Sequence, residues 1–217
     1  MALTLKGAFM IDGTGKEPVE NSMLVIDDGL ITYTGPFDAA KIPVNSEVLE
    51  LGGKTIIPGL IDAHIHMDLH GMGNTYEENL VEDKLRTIRA LKEMQDTLKN
   101  GITTVRNVGS VNYIDFAVKE AIESGLFAGP RIITCGKIIS MTAAGNDYFL
   151  GMYREADGCD EVRKATREQI KAGADCLKLM ATGAYMNPGG VPGAPQLGRA
   201  EIAVVVEEAT KLGLRVA

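Results

Sequence analysis

Hydrophobic and polar positions alternate in two different ways along this chain, and the change falls near Pro58-Gly59. Before it lie short alternating runs, Leu3 to Met10, Met23 to Ile26, Leu30 to Thr34 and Val48 to Leu51. Asp28-Gly29 sits between the second and third, where a two-residue hairpin turn favours this dipeptide. Residues 1 to 57 therefore predict a small β unit. After Pro58, short apolar runs at Leu60 to His64, Thr103 to Arg106, Arg131 to Thr134, Cys176 to Met180 and Leu214 to Ala217 read as strands. Amphipathic stretches at Glu77 to Lys99, Tyr113 to Ser124, Asp160 to Ala172 and Arg199 to Leu212 separate them and predict helices. Gly101, Gly125, Gly173 and Gly213 each follow a helix, where a left-handed cap suits glycine.

Strand followed by helix, repeated, means parallel α/β structure over residues 58 to 217. Two architectures are open. The segment can be the first half of a (β/α)8 barrel, which needs about 250 residues and here breaks off in strand five. It can instead be a doubly wound open sheet, which five strands would suffice to build. The first strand-to-helix connection has no GxGxxG pattern, so the dinucleotide-binding form of that sheet is disfavoured.

Composition narrows the partners. Apolar residues make up 45% and charged residues 24%, as in ordinary globular proteins. A net charge of -7 without any basic block argues against nucleic acid and anionic membrane surfaces. No apolar run approaches the roughly 20 residues of a membrane helix. Cys135, Cys159 and Cys176 are too scattered for a disulfide framework, and the first residues lack the pattern of a secretory signal. A cytoplasmic protein is the default expectation.

The chemistry concentrates at Asp62-Ala63-His64-Ile65-His66-Met67-Asp68. Histidines two apart on a strand share a face. Paired imidazoles at the end of an apolar strand suit zinc, iron, manganese or nickel, whereas an isolated HxH is often just an exposed loop. Asp62 and Asp68 share the parity of the histidines. Lys178 lies within the apolar run Cys176 to Met180, where a charge is costly unless paired, chemically removed or snorkelled to a rim. Tyr185 opens a Gly- and Pro-rich loop after that strand and is a substrate-facing candidate; solvent exposure is the plain alternative. Ser140, Thr142 and Tyr148 on the third loop, Ile138 to Asp157, are further candidates for the mouth of the site. His70 keeps the parity of His66 only if the strand continues, which Gly71 and Gly73 oppose. It stands as a substrate-facing or outer-sphere candidate.

The run Ile56-Ile57-Pro58-Gly59-Leu60-Ile61-Asp62-Ala63-His64-Ile65-His66 resembles the first metal motif of the amidohydrolase superfamily. Upstream, Ile11-Asp12-Gly13-Thr14-Gly15 and Ile26-Asp27-Asp28-Gly29-Leu30-Ile31 fit the same pattern. The resemblance implies an N-terminal β-sandwich portion over residues 1 to 57, completed by strands from a distant C-terminal segment, and a TIM-type barrel from residue 58. It implies His64 and His66 as metal ligands and Lys178, on the fourth strand, as a carboxylated ligand bridging two ions, zinc foremost. Two more histidines and an aspartate, from strands five, six and eight, have no counterpart before residue 217, so the chain is expected to be an N-terminal portion. The Lys-bearing strand and its Ala181-Thr182-Gly183 continuation resemble the branch of imidazolonepropionase-like enzymes and zinc-dependent Xaa-Pro and Xaa-Arg dipeptidases. The activity implied is hydrolysis of a C-N bond in a small-molecule or dipeptide substrate by a metal-activated hydroxide. Lys178 would be catalytic, and Tyr185 and His70 would bind substrate. An inactive half-barrel acting as an interaction module is the alternative. Its exposed apolar strand edges predict a homo-oligomer.

Overall fold

A sheet forms first along the chain. Strands β1 (Leu3–Met10), β2 (Val19–Asp27), β3 (Leu30–Pro36), β4 (Glu47–Glu50) and β5 (Thr55–Ile56) join in the order β3-β2-β1-β4, with β5 also pairing β1. Strands β1, β2 and β3 are antiparallel neighbours, whereas β4 and β5 lie parallel to β1. The β2–β3 turn uses Asp28 and Gly29 at φ 46° and 73°, the left-handed pair that a tight two-residue hairpin requires. Ser22 to Val25 are buried consecutively rather than alternately, and β2 lies between β1 and β3 in the sheet. The computed structural model describes residues 2–69, 75–185 and 188–217, and for 75 and 76 the backbone alone. The chain divides into two compact units, Met1–Gly59 and Leu60–Ala217.

The second unit is mixed α/β. Its elements are β6 (Leu60–Ile65), α1 (Thr75–Asn79), α2 (Asp83–Lys99), β7 (Ile102–Asn107), α3 (Ile114–Glu123), β8 (Arg131–Thr134), β9 (Ile138–Ser140), β10 (Tyr153–Glu155), α4 (Gly158–Ala172), β11 (Cys176–Leu177), α5 (Arg199–Thr210) and β12 (Arg215–Val216). Strands β6, β7 and β8 form a parallel sheet, and β11 pairs in parallel with β12. Backbone bonds join the two groups. Asp175 N–H donates to the Thr134 carbonyl at 2.8 Å, and Ile139 forms a parallel bridge with Leu179. The strands thus neighbour one another in chain order, without the reversal that defines a doubly wound sheet.

Helices cover one face of these strands. Ala90 and Met94 of α2 and Ile114 and Val118 of α3 pack on Val105 and Ile132. Val162 and Ala165 of α4 and Val204, Val205 and Ala209 of α5 pack on Ile139, Leu177 and Leu179. Because strand side chains alternate, the residues between these apolar positions, Arg106 on β7 and Lys178 beyond β11, are directed to the opposite face.

Three expectations need correction. The helix expected over Glu77 to Lys99 is broken at residues 80–82, where the exposed Leu80 closes α1. Arg86 bridges the break by donating from its guanidinium to the Glu78 carbonyl. The segment 138 to 157 is not plain loop: Ile138 and Ile139 are buried, and β9 and β10 pair in parallel. The fourth strand is shorter than the run Cys176 to Met180, with a single bridge at Leu179 continuing it past Lys178. Among the described residues no helix is long and apolar enough to cross a membrane.

All three cysteines are unpaired, with Cys159 exposed and Cys135 and Cys176 buried. Burial pushes the Cys176 thiol up to about 11 and raises that of Cys135 further. Cys159 is therefore the one thiol of the three open to a reagent in solution. Alkylation of the native protein, followed by mass spectrometry, should modify Cys159 first and the other two only on unfolding. Equal rates at all three would contradict this packing.

Candidate active site

The C-terminal end of β6 carries both histidines. His64 is the penultimate residue of the strand and His66 follows its last residue, Ile65. Ile65 packs among the helix-facing apolar residues, so the alternation sends both imidazoles to the other face. Their ring centroids are 5.6 Å apart in an edge-on arrangement. Asp62 accepts the His64 backbone N–H at 3.1 Å and supports the backbone there.

His66 is fixed from outside its own strand. Its Nδ1 lies 2.9 Å from the Gly109 carbonyl oxygen. A carbonyl only accepts, so Nδ1 carries the proton and Nε2 keeps its lone pair. Hydrogen-bonding the far nitrogen in this way is how ligating histidines are oriented. Burial is the largest cause lowering the His66 pKa, opposed by the Gly109 bond and reinforced by the charges of His64 and Lys178. Burial also leads at His64, with Lys178 and Arg106 adding to it. Both rings are held in the neutral form that binds metals.

Lys178 reaches the same place from further along the strand order. Leu177 and Leu179 anchor its strand in the helix-facing core, which turns Lys178 outward, half-buried. With His64 and His66 it lines a cavity of about 280 Å³. The opposing wall is apolar, built by Leu69, Ile138, Phe149, Met152 and Met180. Tyr153, Ala184 and Tyr185 complete the lining, and Tyr185 is 91% exposed. The structure therefore brings His64, His66, Lys178 and Tyr185 together, while His70 lies outside the described residues. Among the described residues no group of three or more His, Cys, Asp and Glu side chains is placed to hold a metal ion, so the third group beside the two imidazoles is the lysine.

Other candidates are elsewhere. Asp68 is buried with its Oδ2 accepting the Val111 N–H at 2.7 Å, and desolvation pushes its carboxyl up to about 6. The ladder stops at Ile65 and the chain turns, Leu69 N–H bonding the His66 carbonyl, so strand parity no longer applies to Asp68. Ser140 is buried and bonds the Met141 carbonyl; Thr142 is tied to Asp157; Tyr148 packs edge-on against Phe149 at 5.0 Å. None of the three lines the cavity; Phe149, Met152 and Tyr153 do. Pattern reading also missed Gly109. Its φ is 145°, and a Cβ there would lie 2.5 Å from Ile138 Cγ1 and 3.4 Å from His66 Cε1. The one signal was its place just after strand β7, where site residues of parallel α/β proteins gather.

With this geometry in view, comparison with known proteins decides the family. The model of the amidohydrolase family matches residues 55–217. The chain belongs to that family. It is 31% identical over 230 aligned positions to ochratoxinase of Aspergillus niger, covering 93% of this chain and 46% of that protein. Imidazolonepropionase of Bacillus cereus is 34% identical over 77 positions, 36% of this chain and 17% of that protein. Among solved structures, a prolidase complexed with N-methylphosphonate-L-proline superposes with a TM-score of 0.88 at 30% identity, covering 100% of this chain and 55% of that one. The A. niger ochratoxinase structure gives a TM-score of 0.85 at 28% identity, covering 99% and 54%. The chain thus spans about half the length, or less, of these amidohydrolase relatives.

The site geometry sets two stability tests. The fold favours neutral imidazoles, so their contribution to stability is present above about pH 6.5, the ordinary histidine value. It is lost as pH falls through their lowered folded-state values. Asp68, with its carboxyl pushed up to about 6, acts in the opposite sense over the same range, so the test is the difference. Between about pH 7 and about pH 5, urea unfolding of the metal-free protein should show a less unfavourable change of stability in His66→Ala than in the wild type. Gly109→Ala should cost about 1–3 kcal/mol through its clash with Ile138, measured in the same assay; an unchanged midpoint would contradict the close approach.

Proposed function

We propose that this chain supplies the first metal-ligating half of an amidohydrolase that cleaves a C-N bond, amide or peptide-like, in a small substrate. The observation that carries the reading is the His66 imidazole: its proton is committed to Gly109, and its ring lines one cavity with His64 and Lys178. Residues 58–217 are read as the first units of a (β/α)8 barrel, supported by parallel strands that neighbour in chain order. The sheet of residues 1–57 is read as part of a β-sandwich. Its support is an apolar groove bordered by Met10, Leu24, Ile31 and Ile57.

The donor set fits a divalent ion, zinc foremost. His64 and His66 would hold it as neutral imidazoles, and Lys178 would join them as the carbamate formed when its amine takes up carbon dioxide and releases a proton. That modification turns a cation into an anionic oxygen ligand. Among the described residues no salt bridge to Lys178 competes with it. A bound ion would supply Lewis acidity, lowering the pKa of water and polarising the scissile carbonyl. The protein's own groups do the rest. The apolar wall of Leu69, Phe149, Met152 and Met180 would seat an uncharged substituent of the substrate and exclude water from around it. Tyr185 at the rim would orient the polar end.

The relatives support this substrate class. One is named ochratoxinase, and the prolidase structure holds N-methylphosphonate-L-proline. The second reading, an inactive half-barrel module, draws on the lack of any His/Cys/Asp/Glu trio among the described residues.

The deciding experiment uses the full-length protein. Chelation should abolish hydrolysis of N-acyl amides and dipeptides bearing apolar side chains, and zinc should restore it. His66→Ala should lower kcat/KM by more than the roughly 10–100-fold typical of outer-sphere changes. Native mass spectrometry should show the added carbon dioxide on the wild type and not on Lys178→Ala. Full activity in His66→Ala, or zinc binding without turnover of any amide, would overturn the enzyme reading.

A further inference from the structure

Asn107, the last residue of β7, is completely buried. Its ladder pairings, with Ile65 on β6 and Thr134 on β8, are made by the backbone. Its side chain is therefore free for another task, and every polar atom of it is engaged. Oδ1 accepts the Met67 backbone N–H at 3.1 Å. Nδ2 donates to Ser110 Oγ at 2.9 Å, and lies 3.2 Å from Thr134 Oγ1 and 3.4 Å from Asp115 Oδ2. Chemistry fixes this amide orientation, since the flipped form would set an NH2 group against the Met67 N–H.

The positions of two of these partners matter. Met67 directly follows His66, and Ser110 directly follows Gly109. One buried amide therefore grips the chain on both sides of the His66–Gly109 hydrogen bond. We propose that Asn107 is a positioning residue: it holds the Gly109 carbonyl at His66 Nδ1, so that Nε2 faces the cavity with its lone pair available.

Surrounding bonds show why a side chain is needed there. Strand β6 ends at Ile65, whose carbonyl accepts the Val108 N–H at 3.0 Å, and His66 lies beyond that last ladder contact. On the other side, Ser110 N–H donates to the Gly136 carbonyl at 3.1 Å. Asp115 Oδ2 accepts from the Gly136 N–H and the Thr134 hydroxyl, which ties the end of β8 to the same cluster. Asp68 adds a parallel brace through Val111 N–H. The Gly109 carbonyl is thus held between two anchored neighbours, and Asn107 is the side chain that bonds the residue after His66 and the residue after Gly109 at once.

This inference rests on the metal-binding reading, and its test separates the two. In the full-length protein, zinc affinity is measured by competition with a chromophoric chelator. The Nδ1 proton of His66 is followed by NMR of metal-free, 15N-histidine-labelled protein. His66→Ala should abolish tight zinc binding; if it does not, the metal reading fails. Asn107→Ala should weaken zinc binding about ten-fold or more, the range for loss of an outer-sphere partner. It should also expose the His66 Nδ1 proton to solvent exchange. Ser110→Ala, which removes only the hydroxyl, should change both readouts in the same direction and decides the matter if Asn107→Ala does not fold. Thr166→Ala, a buried hydroxyl on α4 bonded to the Val162 carbonyl, controls for simple loss of stability and should change neither. Wild-type zinc affinity and a protected Nδ1 proton in both variants would overturn the proposal. If the wild type binds no zinc, the NMR readout alone decides it.

Discussion

A β-strand can offer only every second side chain to one face, and the placement of this site depends on that period holding to the very end of β6. Val105, Ile65 and Leu177 are claimed by the helix-facing core, so Arg106, His64 and Lys178 have no choice of side. The sheet then converts sequence spacing into proximity. His64 and His66, far from Lys178 along the chain, share a cavity with it because their strands run parallel and in order. Yet His66 lies one residue past the ladder, where the period is no longer enforced by backbone pairing. The hydrogen bond to Gly109 takes over there, and Gly109 itself must be glycine-like because Ile138 and the His66 ring leave no room for a Cβ.

Electrostatics in the cavity point in one direction. Burial favours neutral imidazoles at both histidines, and the Lys178 charge strengthens that preference. An ammonium beside two neutral ligands opposes a dication by direct repulsion, so the site as built of unmodified side chains is half suited to a metal. The carbamate proposed for Lys178 would reverse the sign of its charge and remove that conflict. The buried carboxylates are arranged differently. Asp68 and Asp115 stand behind the histidine segment rather than in the cavity, and bond backbone N–H groups there. Their desolvation is tolerated because they hold loops that no ladder reaches.

Much of this was legible in the sequence, for definite reasons. Strands β1, β7 and β8, and the glycines closing α2, α3, α4 and α5, follow from period and capping alone. His64, His66 and Lys178 were legible because each lies in or beside an apolar strand, where parity is informative. Parity misled at Asp68, since nothing in the letters marks Ile65 as the last paired residue. Strands β9 and β10 have three residues each, too few for a period to show. That is why Tyr148 was favoured over its neighbour Phe149, which the 3₁₀ turn Asn146–Phe149 directs into the cavity. Asn107 and Gly109 were invisible for a deeper reason: their roles are set by partners far along the chain, Met67 and His66, and no local pattern encodes such a pairing.

The cavity draws its polar groups and its apolar wall from different parts of the fold. His64 is held within the β6 ladder, His66 by the Gly109 carbonyl just past it, and Lys178 between the core residues Leu177 and Leu179 with its carbonyl accepting the Ile139 N–H. Most of the apolar wall instead comes from the excursion between β8 and α4, which contributes Ile138, Phe149, Met152 and Tyr153. That excursion is attached through the bridge between Ile139 and Leu179 and through Gly136 and Gly151, whose carbonyls accept the Ser110 and Asn112 N–H groups, and its Ile138, Phe149 and Met152 pack with Val111. The His66 anchor itself runs through β7 and the residues after it, and meets this segment where Ser110 N–H bonds the Gly136 carbonyl. Ile138 touches both: it lines the cavity and also fills the space against Gly109. A larger or smaller residue at Ile138 would alter the cavity and the support of His66 together, so it is the point at which cavity shape and the placement of that imidazole are coupled.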